Sequence, residues 1–282
     1  MTPSPEDVRE VGRLVERLCG IVLGESKGYL VQARLGRLAQ EVAGGSYVEL
    51  CRVAERDADV RTRLVDAITT KETLFFRDEA PFQVLRHRVI PMIADRNAGT
   101  PHERRIRIWS AACATGQEPY SLSMLLHELL PDVHDWDVEI LATDISEQAM
   151  TRAAAGVYSA AEVERGLSED ALRRHFVPDG DGFRVMDSVR SLVTFRRLNL
   201  LEPFPGLGPF DVVLCRNVAI YFDAEAQRDL FERLADTLVE DGFLFVGASE
   251  SLSRFGPRFV PQLHCRATYY QPNLSSLPRK AA

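Results

Sequence analysis

Apolar positions in the first 80 or so residues recur at helical spacing. Val8, Val11, Leu14, Val15 and Leu18 fall on one face of a 3.6-residue repeat. They follow a start signal in which Ser4 caps, Pro5 sits in the first turn and Glu6 and Asp7 oppose the helix dipole. The same period predicts helices over residues 29–42 and 47–53, with Gly44 and Gly45 as the break between them. From Arg105 the pattern shortens. Ile106, Ile108 and Trp109 predict a buried strand that ends in the small-residue turn Ser110-Ala111-Ala112, and a helix follows from Pro119. Further strands are predicted at 138–143, 210–215 and 242–248, with a helix over 224–238 before the last. Strand and helix in alternation predict a mainly parallel sheet. Between 156 and 195 the rhythm breaks, and Pro178-Asp179-Gly180-Asp181-Gly182 predicts a turn between the short strands of a small antiparallel insertion. The expected organisation is a helical N-terminal domain over 1–80 and a sheet domain over 81–270, with the insertion at 156–195. A disordered tail is expected at 271–282, where prolines, serines and a basic pair cluster.

Composition narrows the class. A chain of 282 residues with 45% hydrophobic content can bury a sizeable core. No apolar run approaches the roughly 18 residues a membrane span needs, and the N-terminus lacks a basic-then-apolar leader, so neither membrane insertion nor secretion is expected. Cys19, Cys51, Cys113, Cys215 and Cys265 are odd in number and scattered, which suits neither a disulfide framework nor a zinc site. The expectation is a cytoplasmic protein without a metal. A net charge of -7 argues against a phosphate-backbone partner, so nucleic acid is not expected.

Candidate chemistry starts at the turn Ser110-Ala-Ala-Cys-Ala-Thr-Gly116 between a strand and a helix, where small side chains let backbone approach a ligand. A single glycine does not match the three-glycine dinucleotide fingerprint, and tight helix-on-sheet packing explains the turn equally well. Asp144 closes the next strand, where a carboxylate can accept both ribose hydroxyls, ahead of a plain capping role. Glu118 opens the helix after the turn. It can bind a cationic amino group, although by itself dipole compensation explains it.

Three strings then point to one family. Thr69-Thr-Lys-Glu-Thr-Leu-Phe-Phe-Arg77, Gly116-Gln-Glu-Pro-Tyr-Ser121 and Cys215-Arg-Asn-Val-Ala-Ile-Tyr-Phe222, in that order, resemble the CheR-type chemotaxis receptor methyltransferases, and the resemblance runs to about Tyr270. It implies an α/β fold: a Rossmann-like class I methyltransferase sheet with a helical N-terminal domain and a small antiparallel β insertion. It also implies S-adenosylmethionine as cofactor, S-adenosylhomocysteine as product, and transfer of the methyl group to glutamate carboxylates in the cytoplasmic helical region of methyl-accepting chemotaxis receptors.

Residue by residue, the resemblance implies that Thr73 and Arg77 approach the cofactor from the interdomain segment, that Glu118 holds the methionyl amino group and that Asp144 holds the ribose. Asn199 and Leu200 would border the adenine, with Arg216 and Asn217 following the third sheet strand. Tyr221 would lie close to the transferring methyl, and Arg77 and Tyr221 would orient the acceptor carboxylate. The family usually has asparagine where this chain has Lys71. A cation beside a sulfonium costs about 1 kcal/mol at roughly 4 Å in a water-like dielectric, so Lys71 either meets the methionyl carboxylate or points outward. Lys27, Arg34 and Arg37 are candidates for meeting an acidic receptor helix, Arg34 and Arg37 being one helical step apart; a solvated helix face is the plain alternative. Two rivals remain: a nicotinamide oxidoreductase, which the missing glycines disfavour, and a signalling module that binds the cofactor without turnover, which Lys71 keeps open.

Overall fold

The computed structural model describes residues 2–130 and 132–273. Most of the tail expected at 271–282 lies outside the described residues.

Four helices form the N-terminal unit: α1 (Pro5–Cys19), α2 (Gly28–Ala43), α3 (Tyr47–Arg56) and α4 (Ala58–Ile68). Three of them open on side-chain caps. Ser4 and Asp7 make a reciprocal capping box, Ser46 accepts from the Glu49 amide, and Asp57 accepts from the Asp59 and Val60 amides. The apolar stripe of α1 meets Val31, Leu35, Leu50, Leu64 and Ile68 in one core. Helix α4 occupies a stretch that was expected to be helical but without stated bounds.

A second helical run, α5 (Ala80–Val84), a π-helical turn (Leu85–Val89) and α6 (Ile90–Asn97), leads into the sheet unit. There β1 (Arg105–Ala111), α7 (Gln117–Leu129), β2 (Asp137–Asp144) and α8 (Glu147–Ala155) alternate as expected. The insertion comprises β3 (Val157–Ser159), α9 (Ala160–Glu164), α10 (Glu169–His175), β4 (Phe176–Asp179), β5 (Gly182–Val185) and α11 (Asp187–Arg190). The chain then returns through β6 (Val193–Arg197), β7 (Phe210–Cys215), α12 (Ala224–Asp236) and β8 (Leu238–Val246), and ends in the hairpin β9 (Phe259–His264) and β10 (Ala267–Pro272).

The main sheet has the order β6-β2-β1-β7-β8-β10-β9, parallel from β6 to β8, with β10 antiparallel to β8 and β9; the small sheet is antiparallel, β3-β5-β4. Side chains of β1 alternate between two cores. Ile106 and Ile108 join Leu122, Leu125 and Leu214 on one face, while Trp109 and Ala111 join Val213, Leu230 and Leu234 on the other. The chain steps outward from β1 through β2 to β6, then restarts on the other side with β7. Strand order therefore reverses at β1, and the crevice at the carboxyl ends of β1, β2 and β7 is where ligands of open α/β sheets bind.

One boundary differs from expectation. Val193 to Phe195 pair with β2, so the insertion ends before residue 193 and not at 195. Strand β6 sits at the sheet edge with partly exposed positions, so it lacks the apolar run that marks a buried strand. The β9–β10 hairpin was not anticipated either. Its two turn residues, Cys265 and Arg266, take positive φ (47° and 59°) without the glycine or asparagine that normally signals such a turn. No helix among the described residues is long and apolar enough to cross a membrane, and no three or more of their His, Cys, Asp and Glu side chains cluster as a metal site would require.

Candidate active site

At the carboxyl ends of β1, β2 and β7 lies a cleft that opens to solvent. Its far wall comes from the end of α1 and the segment after α4. Thr73, Arg77, Glu118, Asp144, Asn199, Leu200, Arg216, Asn217 and Tyr221 all line it, together with Cys19, Ile21, Ala112, Cys113, Ala114 and Phe222.

The floor is a strained turn. Ala112 and Ala114 hold φ of 65° and 50°, and Gly116, at φ 96°, opens α7. A Cβ on Gly116 would come within 2.9 Å of Ala153 Cβ and Tyr158 Oη, so glycine is needed there for space as well as for backbone conformation. Of the seven described non-glycine residues with positive φ, three line the cleft, Ala112, Ala114 and Asn217, and two more, Phe76 and Asp78, flank the lining residue Arg77. Strain concentrated in this way marks a site where backbone has been shaped for a ligand.

Asp144 is built into that turn. Its Oδ2 accepts from the Ala114 amide at 2.9 Å and its Oδ1 from the Ser146 amide at 2.9 Å. These bonds fix the carboxylate while leaving each oxygen a further lone pair. Burial raises its pKa above the usual 3.8, opposed by those backbone donors.

At the other end Glu118 and Arg216 form a buried knot. Glu118 Oε1 accepts from Ser110 Oγ at 2.7 Å and its Oε2 from Arg216 at 2.8 Å. Arg216 also donates to Asp78 Oδ2 at 2.9 Å and to the Arg77 carbonyl at 2.8 Å, while its Nε is buried without a partner. Two carboxylates face one guanidinium, so this end carries a net negative charge. An ammonium group complements it, and the fixed Asp144 carboxylate suits a vicinal diol. The residues present therefore fit a ligand with a ribose and an amino-acid end.

Sequence reasoning missed Asp78 and Glu250, and placed Ser110 in the ligand turn without its bond to Glu118. Glu250 Oε2 accepts from the Asn217 amide at 2.8 Å and the Gly247 amide at 2.6 Å, tying together the loops after β7 and β8. A Cβ on Gly247 would lie 2.5 Å from Asn217 Nδ2. That glycine, near the end of the strand predicted at 242–248 and three residues before an acid, was the available signal.

Lys71, expected at the cofactor, does not line the cleft, and neither do Lys27, Arg34 and Arg37, expected to meet the substrate helix. Lys71 takes the outward alternative: its ammonium donates to the Asp66 carbonyl and, at 3.3 Å, to Gln148 Oε1, facing a separate hollow lined by Glu72, Arg152 and Glu162. Burial lowers its pKa, offset by Asp66 and Asp144. Arg34 is occupied within the protein, donating to the Ile68 carbonyl and to Thr70 Oγ1 at 3.0 Å. Arg37 stands in solvent beside Glu41 at 2.8 Å, and Lys27 lies over the Tyr29 ring at 5.9 Å. These three do not form one free basic patch.

Fold and cleft together define an α/β protein that binds a nucleoside-type ligand carrying an amino-acid end. The chain belongs to the CheR methyltransferase family: residues 71–265 match the CheR methyltransferase SAM-binding domain, and residues 6–69 match the CheR methyltransferase all-alpha domain. Chemotaxis protein methyltransferase 1 of Pseudomonas aeruginosa is 47% identical over 257 residues, covering 89% of this chain and 92% of that one. Chemotaxis protein methyltransferase Cher2 of Pseudomonas putida is 43% identical, covering 90% and 93%. A chemotaxis protein methyltransferase of Vibrio parahaemolyticus is 42% identical, covering 92% and 94%.

Proposed function

We propose that the protein transfers the methyl group of S-adenosylmethionine to glutamate side chains in the helical cytoplasmic region of chemotaxis receptors. The observation that carries this reading is a cleft with Asp144 at one end and the Glu118–Arg216 knot at the other, in a chain of the CheR family. The reading also takes the protein to be cytoplasmic, independent of metal and of nucleic acid, and divided at about residue 80.

Within it, Asp144 accepts the ribose hydroxyls, Asn199 and Leu200 border the adenine, and Glu118, backed by Arg216, takes the methionyl ammonium. Thr73 and Asn217 complete the walls. When bound, S-adenosylmethionine supplies an electrophilic methyl group on a sulfonium leaving group. The acceptor needs no general base, because a glutamate side chain with a pKa of about 4.3 is ionised at neutral pH. The carboxylate oxygen bonds to the methyl carbon as the carbon–sulfur bond breaks, giving the ester and S-adenosylhomocysteine. The protein's task is position, which in well-aligned systems contributes up to about 7–11 kcal/mol. Arg77 and Tyr221 do the positioning of the acceptor. Arg77 is held by one bond to the Glu72 carbonyl at 2.9 Å, which leaves it further donors for a carboxylate.

The test is incubation with radiolabelled S-adenosylmethionine and receptor-containing membranes from the same cells. Base-labile label on the receptor supports carboxyl methylation; its absence, with calorimetric cofactor binding intact, rejects the receptor reading. Replacing Arg77 with alanine should cut turnover sharply while sparing cofactor affinity. The nicotinamide alternative still lacks its glycines. The alternative of a catalytically weak signalling module rested on Lys71, whose ammonium donates to the Asp66 carbonyl.

A further inference from the structure

We propose that Val22 and Ile220 form an apolar rim, one residue from each unit of the fold, against which the substrate helix packs beside the glutamate that enters the cleft. This rests on the receptor-methylation reading above.

Val22 and Ile220 are each 49% exposed, among the few large apolar side chains left open on the described surface. They belong to two segments that meet across the seam between the helical and sheet units. The Val22 amide donates to the Tyr221 carbonyl at 2.9 Å. Gly20, at φ 73°, lets the first segment lie so close that a Cβ there would stand 2.9 Å from the Phe222 ring and from Leu201 Cδ2. Around this junction neighbouring residues diverge. Ile21, Tyr221 and Phe222 line the cleft, while Val22 and Ile220, their immediate neighbours in sequence, are open to solvent. Charge is absent from both segments: residues 18–24 and 217–222 contain no Asp, Glu, Lys or Arg, in a chain that is 27% charged. The cleft is thus bordered here by an uncharged, apolar edge continuous with its inner wall.

The occupant follows from what must approach that edge. A glutamate on a helix extends its side chain from one face, and the residues three and four positions away share that face. When the carboxylate enters beside Tyr221, those neighbours come against whatever borders the opening. An apolar border accepts small or apolar neighbours and penalises a charged one, which would lose water without gaining a partner. The rim therefore acts on which glutamates are accepted, separately from the residues that hold the cofactor. Because it is assembled from both units, it is complete only when their seam is closed.

Val22→Asp and Ile220→Asp test this, with Val22→Leu and Ile220→Leu as conservative controls. The experiment measures receptor KM and kcat on receptor-containing membranes, co-sedimentation with those membranes, and S-adenosylmethionine affinity by calorimetry. The expected result is a rise in receptor KM of roughly tenfold for each Asp variant and reduced co-sedimentation. Cofactor affinity should stay within about twofold of the parent, and the Leu variants should remain parent-like. Unchanged receptor KM in the Asp variants overturns the rim, as does a loss that follows cofactor affinity or that Leu also produces. Wild-type protein in the same assay keeps the two ideas apart: no receptor labelling by wild type removes the receptor reading itself, whereas labelling by wild type with unaffected Asp variants removes only the rim.

Discussion

Replacing Arg216 with methionine isolates the energetic centre of the site. The Arg216 side chain is 2% exposed and that of Glu118 is 10% exposed, so their contact at 2.8 Å is a buried ion pair. Removing one partner of such a pair leaves a charge without compensation and costs about 3–5 kcal/mol. The arm to Asp78, whose side chain is 42% exposed, adds at most about 1 kcal/mol. Most of the loss should therefore come from Glu118, and neutralising it should restore stability. In Arg216→Met/Glu118→Gln no buried unpaired charge remains, Asp78 being largely solvated, and the amide oxygen can still accept from Ser110 Oγ, which lies 2.7 Å from the carboxylate. Urea unfolding should show the single Arg216 variant about 3–5 kcal/mol below the parent and the double variant recovering roughly half of that deficit. A single-variant cost under about 1 kcal/mol, or a double variant no more stable than the single, would refute the view that Arg216 compensates a buried Glu118.

Gly116→Ala should lower stability by more than about 1 kcal/mol, because both its φ of 96° and the 2.9 Å approach to Ala153 and Tyr158 oppose a Cβ; a parent-like urea midpoint would count against this. Asp144→Asn should weaken S-adenosylmethionine binding on the order of tenfold by calorimetry. Wild-type affinity should also fall as pH drops through the raised Asp144 pKa, a dependence the Asn variant should lack. His175 is buried with Nε2 unpartnered, and burial, reinforced by Arg174, depresses its pKa below 6.5. The unfolded chain then binds this proton more readily, so the contribution of neutral His175 is complete above 6.5 and is lost as pH falls below that value toward the depressed folded pKa. His175→Gln should make urea midpoints less pH-dependent between about pH 7.5 and about pH 5; equal dependence in parent and variant would rule the account out.

What the sequence made legible is what local period and local spacing encode. The apolar stripe of α1, the buried strands β1, β2 and β7, and the alternation that makes the sheet parallel are written in neighbouring residues. Asp144 was readable because a strand end is a local feature. Strand β6 and the β9–β10 hairpin were not, since edge strands carry half-exposed patterns and the hairpin turns on Cys265 and Arg266 rather than on glycine. The knot was half legible: Glu118 and Arg216 are distant in sequence, and only the fold brings them together with Asp78 and Ser110. Arg34 shows the converse. Its spacing from Arg37 suggested a shared basic face, but the guanidinium serves the backbone at the end of α4 instead.

The contacts made by the end of α4 bear on how the site is assembled. Asp66, near the end of α4, accepts from Ser146 Oγ at 2.6 Å and from the Gln148 amide at 3.4 Å, so a helical-unit carboxylate supplements the cap of α8 in the sheet unit. Ser146 is also the residue whose amide holds Asp144. On the opposite wall Asn199 Nδ2 donates to the Leu18 carbonyl at 3.0 Å, and the Val22 amide donates to Tyr221. Of the residues proposed for ribose, adenine and acceptor, Asn199 and Tyr221 are thus one hydrogen bond from the helical unit and Asp144 is two, through Ser146. Whatever loosens the seam must disturb all three together, so the helical unit belongs to the active site as a structural wall even where its arginines do not reach the cleft.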